Sequence, residues 1–154
     1  MTGVIKGVTY TPSGGVASCL FCSIIEGKEP ARIVLENEEF LAFKTIKPYS
    51  SNHLLVVPRK HVKNLSVMSG PEDANMIHGM EAFGKVALGK DADDAQFCFH
   101  VPPYNSIDHL HLHCIGARSR MTLAGSLKFW QETFYCWSAK SAAAVVLKRE
   151  LSKL

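Results

Sequence analysis

Three histidines alternate with two leucines in His109-Leu110-His111-Leu112-His113. In extended backbone, successive side chains point to opposite faces. The run therefore sets three imidazoles side by side and sends Leu110, Leu112 and Cys114 toward a core. Imidazole titrates near neutrality, and a row of charged rings would repel itself. A purely structural role rarely calls for three of them. Two chemistries suit the row. One is a metal site. The other is attack of an imidazole on phosphorus, with neighbouring rings that hold its tautomer and protonate the leaving group. A second constellation, Cys19-x-x-Cys22, offers two thiols one helical turn apart. Two such thiolates grip one zinc ion when two more ligands complete a tetrahedron. A redox reading lacks the thioredoxin-like βαβ surroundings it needs.

These groups need elements to hold them. Residues 19–26 read as one or two helical turns stopped by Gly27. Residues 32–35 and 40–43 read as neighbouring strands joined by a turn, and 53–57 as an apolar strand ended by Pro58. Pro71 suits a first helical position and opens the clearest helix, expected to reach about Lys90. Its apolar side is Ile77, Met80, Ala82, Phe83, Val86 and Ala87. Residues 96–101 and 109–115 read as two more strands, joined through Pro102-Pro103-Tyr104-Asn105-Ser106. Residues 138–151 read as a helix, with Ala142, Val145, Val146 and Leu151 available for docking. The fold class is α+β: an antiparallel sheet of about five strands with one long helix and a C-terminal helix. Residues 1–18 are expected to be a flexible arm, 19–116 the domain proper, and 117–154 an extension packed on the same domain.

A chain of 154 residues fits one domain and one core without disulfide staples. Its hydrophobic fraction of 47% and charged fraction of 20% are those of a globular protein. A net charge of +3 without any Lys/Arg block argues against a dedicated nucleic-acid binder. No apolar run reaches the length of a membrane span. Five cysteines and no signal-peptide pattern point to a reducing compartment with free or metal-bound thiols. The terminal Ser152-Lys153-Leu154 matches a receptor-read peroxisomal address, so a peroxisome or related organelle is expected, and the cytoplasm otherwise. His61 and His78 read as surface residues, and Cys98, Cys114 and Cys136 as buried or free thiols.

The segment His109-Leu110-His111-Leu112-His113-Cys114-Ile115 resembles the signature of the histidine-triad superfamily. Cys19-Leu20-Phe21-Cys22-Ser23-Ile24-Ile25, Leu41-Ala42-Phe43 and His53-Leu54-Leu55-Val56-Val57-Pro58-Arg59-Lys60-His61 resemble its N-terminal half in order and spacing. Phe99-His100-Val101-Pro102-Pro103-Tyr104-Asn105-Ser106-Ile107 is similar to the Pro-Pro-loop sub-branch of its Hint proteins, the adenosine 5′-monophosphoramidase-like ones. The resemblance implies a hydrolase acting at the α-phosphorus of a small nucleotide through a covalent nucleotidyl-histidine. His111 would be the nucleophile, oriented by His109 with the help of a backbone carbonyl. His113 would face a phosphate oxygen, and Ser106 would bond the leaving group. A histidine rather than glutamine at the third triad position favours hydrolysis over transfer.

The resemblance also implies a base pocket of Leu20, Phe21, Ile24 and Phe43. Thr45 and Ile46 would lie beside it, with Thr45 where relatives carry an acidic group for the ribose. His100 and Asn105 would face the nucleotide. A structural zinc would be held by Cys19, Cys22, His53 and His109. The implied substrate order is nucleoside phosphoramidates, then adenylyl sulfate, then dinucleoside polyphosphates. A nucleotide-binding interaction module with weak activity is the alternative from another class. A homodimer is implied, pairing the long helix and the 96–101 strand across a two-fold axis.

Overall fold

A computed structural model describes residues 4–151. The terminal Ser152-Lys153-Leu154 and the docking expected of the Leu151 side chain lie outside what it describes. The chain opens on a two-stranded hairpin, β1 (Val8–Tyr10) and β2 (Val16–Cys19). The 1–18 arm is thus not wholly flexible. Val8 is fully buried against the body, and Gly7 lies so close to Ile107 that a Cβ there would stand 2.9 Å from its Cδ1.

The hairpin runs directly into α1 (Leu20–Ile25), where the Cys19 Sγ caps the helix by accepting from the Cys22 N–H at 3.4 Å. A six-stranded sheet follows, built from β3 (Ile33–Glu36), β4 (Phe40–Lys44), β5 (Asn52–Pro58), β6 (Gln96–His100), β7 (Leu112–Gly116) and β8 (Cys136–Ser138). Its order is β3-β4-β5-β7-β6-β8, with every pair antiparallel. The sixth strand, β8, comes from the extension. Three residues are too short for a periodic signal, which is why it is not legible as a strand in the sequence.

Both faces of the sheet are covered, so β4 and β5 read as continuous apolar runs. Phe40, Ala42, Leu54, Val56, Leu112 and Cys114 face one core. Leu41, Phe43, Leu55 and Val57 face a second core, against Val8, Phe21 and Ile24. The first core is roofed by α2 (Gly70–Leu88) and α4 (Ala139–Leu151), which pack on one another. Pro71 sits in the first turn of α2, and the helix ends on Gly89 at φ +62°. Its buried side runs through Ala74, Ile77, Met80, Gly84 and Leu88, whereas Ala82 and Val86, expected there, are exposed, Val86 to 69%. Gly84 is required: a Cβ would lie 2.5 Å from the Cys114 Sγ. Among the described residues, no helix is long and apolar enough to cross a membrane.

The extension changes the expected route to a dimer. The outer edge of β6 is taken by β8, and α2 carries α4. β8 of the same chain holds the edge of the 96–101 strand at which a partner was expected to pair.

Candidate active site

β5 and β7 are neighbours, with Leu55 opposite His113 and His53 opposite Ile115. The strand starts only at Leu112, after a bend at His109, yet the alternation anticipated for the triad holds: Leu110, Leu112 and Cys114 enter the first core. His109, His111 and His113 are all buried. Their rings step along one wall, with His111 and His113 5.2 Å apart between centroids.

The hydrogen bonds assign the tautomers. The backbone carbonyl of His109 lies 2.8 Å from the His111 Nδ1. A carbonyl only accepts, so Nδ1 carries the proton and the Nε2 lone pair is free. The carbonyl of Pro58 lies 2.9 Å from the His109 Nε2, so that nitrogen donates and the His109 Nδ1 is bare. The Tyr49 N–H donates to the His53 Nδ1 at 3.2 Å. The His53 Nε2 must then be the protonated nitrogen, and it donates to the His113 Nδ1 at 3.0 Å. This leaves the His113 Nε2–H as a buried donor with no acceptor. Burial holds all these rings in the neutral form. It lowers His53, His109 and His111 to about 4, and lowers His113 well below the ordinary histidine range. A neutral imidazole with a bare Nε2 is the nucleophilic form.

His111 and His113 border an open cleft of about 1070 Å³. Its walls include Leu20, Phe21, Ile24, Phe43, Thr45, Ile46 and Ser106, all anticipated for the nucleotide or leaving group. Phe21 sets its edge against Phe43 at 5.5 Å and against His111 at 5.2 Å. The Thr45 Oγ1 accepts from the Lys47 N–H at 3.3 Å, which leaves its hydroxyl proton to point elsewhere. Two anticipated nucleotide residues stand apart from this cleft. His100 is wedged behind the third histidine, stacked on Phe129 at 4.8 Å and donating from Nε2 to the Lys128 carbonyl at 2.9 Å. Asn105 is buried as a brace: its Nδ2 donates to the Asp108 Oδ1 at 2.7 Å, and its Oδ1 accepts from Lys6 at 3.1 Å. Lys6 also donates to the Pro103 carbonyl at 2.6 Å, so the N-terminal arm pins the loop that bears Ser106.

The second constellation forms with one changed member. Donor atoms of Cys19, Cys22, His61 and His109 all lie within 4.8 Å of one another. The His109 Nδ1 is 3.4 Å from the Cys19 Sγ and 3.5 Å from that of Cys22, and the His61 Nδ1 is 3.5 Å from the Cys22 Sγ. Donors about 2.3 Å (S) and 2.0 Å (N) from one tetrahedral ion would sit about 3.5 Å apart, so the set fits zinc. Burial, then the Cys19 thiol beside it, pushes the Cys22 thiol up to about 12. Such a pair resists charge until a cation arrives to favour thiolate.

His53 does not belong to this set. The set gathers at the Pro58 end of β5, through the Pro58 carbonyl and His109. His53 lies five residues back along β5, roughly 16 Å at strand rise. His61, expected on the surface, returns here because Pro58 ends the strand and the chain turns.

Tyr49, Lys128 and Phe129 were not anticipated and border the same cleft. Phe129 lies 5.4 Å from His53 and 4.7 Å from His113 between centroids. It follows α3 (Leu123–Lys128), whose six residues give little periodicity to detect.

Comparison with known proteins bears on this site. A family model described as "Scavenger mRNA decapping enzyme C-term binding" matches residues 18–128. The bifunctional adenosine 5′-phosphosulfate phosphorylase/adenylylsulfatase HINT4 of Arabidopsis thaliana is 38% identical over 102 residues, covering 64% of this chain and 70% of that protein. The adenosine 5′-monophosphoramidase HINT3 of Mus musculus is 35% identical over 125 residues, covering 77% and 75%. The crystal structure of a HIT family hydrolase from Legionella pneumophila superposes with a TM-score of 0.61 at 31% identity, over 69% of this chain and 97% of that one. A Zn-bound histidine triad family protein from Mycobacterium smegmatis shares the fold, with a TM-score of 0.58 at 21% identity over 88% and 96%.

Proposed function

The chain belongs to the histidine-triad superfamily of nucleotide hydrolases, and from that premise we propose that it cleaves nucleoside 5′-phosphoramidates at the α-phosphorus through a nucleotidyl-His111 intermediate. One observation carries the reading: His111 is buried and neutral, with Nδ1–H anchored on the His109 carbonyl at 2.8 Å and the Nε2 lone pair free. In the first step Nε2 attacks phosphorus in line, an N–P bond forms, and the bond to the leaving group breaks with its electron pair. The orphaned His113 Nε2–H is available to a phosphate oxygen, and Ser106 to the leaving atom. In the second step water attacks phosphorus, the N–P bond breaks, and nucleoside monophosphate departs. Adenylyl sulfate is the second substrate class, favoured by the similarity to HINT4.

Cys19, Cys22, His61 and His109 would hold the structural zinc, which supplies cross-linking and no open coordination position. Their contribution is to fix the His109 backbone, whose carbonyl aims His111. A homodimer belongs to this reading, on a surface other than the β6 edge. Sedimentation at micromolar concentration should then give twice the 17.0 kDa of the chain, and a single-chain mass would remove it.

The test is to mix enzyme with radiolabelled adenosine 5′-phosphoramidate, denature in alkali, which spares N–P bonds, and look for labelled protein. Wild-type enzyme should carry label. His111→Ala should carry none and lose about a thousandfold or more in kcat while still binding nucleotide. Near-normal turnover by His111→Ala would refute the assignment.

A further inference from the structure

The cleft carries a charge pattern that one α-phosphate does not use. Arg32, Lys44, Lys47 and Lys128 border it, against a single carboxylate, Glu29. Among the described residues, none of these four cations is in an ion pair. Lys128 is the one beside the triad. Its charge acts on His53, His100 and His113, in each case reinforcing the burial that keeps the ring neutral.

A lysine in the last turn of a helix ordinarily reaches for solvent or the helix's own carbonyls. This one folds over the cleft wall instead. Its Nζ donates to the Tyr49 hydroxyl at 3.2 Å and lies 4.9 Å from the Tyr49 ring centroid. The ammonium is thus directed by a neutral partner that leaves its charge uncancelled. His113, which borders the same cleft, keeps a buried Nε2–H without an acceptor. The buried donor is unfavourable until an acceptor joins it, and the Lys128 ammonium, held beside the cleft by Tyr49 with its charge uncancelled, is free to attract an anion.

We propose that Lys128, beside the His113 donor that takes an α-phosphate oxygen, forms a subsite for a second anionic group of the substrate, a sulfate or phosphate bonded to the α-phosphorus. This rests on the nucleotidyl-hydrolase reading and refines its substrate class. When His111 attacks such a substrate, the P–O bond breaks and the electron pair departs with the sulfate or phosphate, whose negative charge grows as it leaves. A fixed ammonium stabilises that change. A phosphoramidate's leaving nitrogen instead takes up a proton and departs as an amine or ammonium ion, which gains nothing from Lys128. The subsite therefore tilts the chain toward leaving groups that depart as anions.

The experiment separates binding from chemistry. In the His111→Ala background, calorimetry measures Kd for adenylyl sulfate, ADP and adenosine 5′-phosphoramidate, with Lys128 intact or changed to Gln, Glu or Arg. Lys128 is exposed, so these variants should fold, and thermal melts check it. The expected result is that Lys128→Gln shifts the affinity ratio of adenylyl sulfate to phosphoramidate by about tenfold toward the phosphoramidate, for one partly screened charge pair. Lys128→Glu should shift it further, and Lys128→Arg should retain it. A parallel loss for ADP assigns the subsite to anionic groups in general, and its absence assigns it to sulfate. A ratio within twofold of the parent in both Lys128→Gln and Lys128→Glu would overturn the proposal. Turnover by enzyme with His111 intact is scored separately: failure to cleave any of the three would fail the hydrolase reading, while the affinity ratio still decides Lys128.

Discussion

The metal set gives the sharpest prediction, because two histidines compete for one role. His61→Ala should abolish stoichiometric zinc, whereas His53→Gln should leave it in place. The reasoning is geometric. The His61 Nδ1 lies 3.5 Å from the Cys22 Sγ, while the His53 Nε2 is committed to His113 at 3.0 Å. The ion would tie Cys22 to residues 39 and 87 positions away, joining α1 to the end of β5 and to the start of the triad. Because metal binds the folded chain and not the unfolded one, its contribution follows mass action: about 4 kcal/mol when free metal exceeds Kd a thousandfold. At about 2–4 °C per kcal/mol for a chain of this size, its loss should lower Tm by roughly 8–16 °C. The assay pairs elemental analysis of protein expressed with zinc present and thermal melts with and without chelator. Wild-type and His53→Gln should carry about one zinc per chain and lose Tm on chelation. Cys22→Ala and His61→Ala should carry well under half and respond little. Full occupancy in His61→Ala, or loss in His53→Gln, would refute the ligand set.

Two further predictions rest on the wall behind the triad. Phe129 is 2% exposed and packs on Tyr49, His53, His100 and His113, so Phe129→Ala should cost about 3–5 kcal/mol in urea unfolding, and a cost under about 1 kcal/mol would contradict the packing argument. His53 is faced by His113, His100, Lys128 and Tyr49, and burial lowers it to about 4; the folded state therefore binds fewer protons than the unfolded one, and stability complete above pH 6.5 is lost as pH falls toward 4, by up to ~1.4 kcal/mol per pH unit for this ring. Replacing it in His53→Phe should flatten the slope of unfolding free energy over pH 4–6.5 by about one proton, and an unchanged slope would remove His53 from the acid response.

The parts legible in the sequence were those that a short local pattern decides. Alternation alone sends Leu110, Leu112 and Cys114 inward and the three imidazoles together, whatever lies elsewhere in the chain. Pro71 and the apolar repeat after it place α2, although the repeat misassigns Ala82 and Val86, because the buried side passes through Gly84, where close contact with Cys114 excludes any side chain. The candidate metal ligands were half legible. Cys19 and Cys22 are local, one turn apart on α1, but the remaining two ligands depend on where β5 begins and ends relative to that turn. His53 and His61 are eight residues apart, and nothing short of the strand's position in the sheet says which end meets the cysteines. Strand rise then decides it, since His53 is carried roughly 16 Å away from Pro58.

Much of what escaped the sequence came from the extension. β8 has three residues and α3 six, each too short for periodicity, yet together they close the β6 edge and bring Lys128 and Phe129 to the third histidine. The consequence is chemical as well as architectural. His53, which stands apart from the candidate metal set it was expected to join, receives the Tyr49 N–H on Nδ1 and so must donate from Nε2. That forces His113 to accept on Nδ1 and leaves its buried Nε2–H as a donor without a partner. His111 is forced the opposite way, with its proton on Nδ1 and its lone pair on Nε2. Two adjacent rings on one wall thus hold opposite tautomers, one suited to attack phosphorus and the other to receive the negative charge that attack creates.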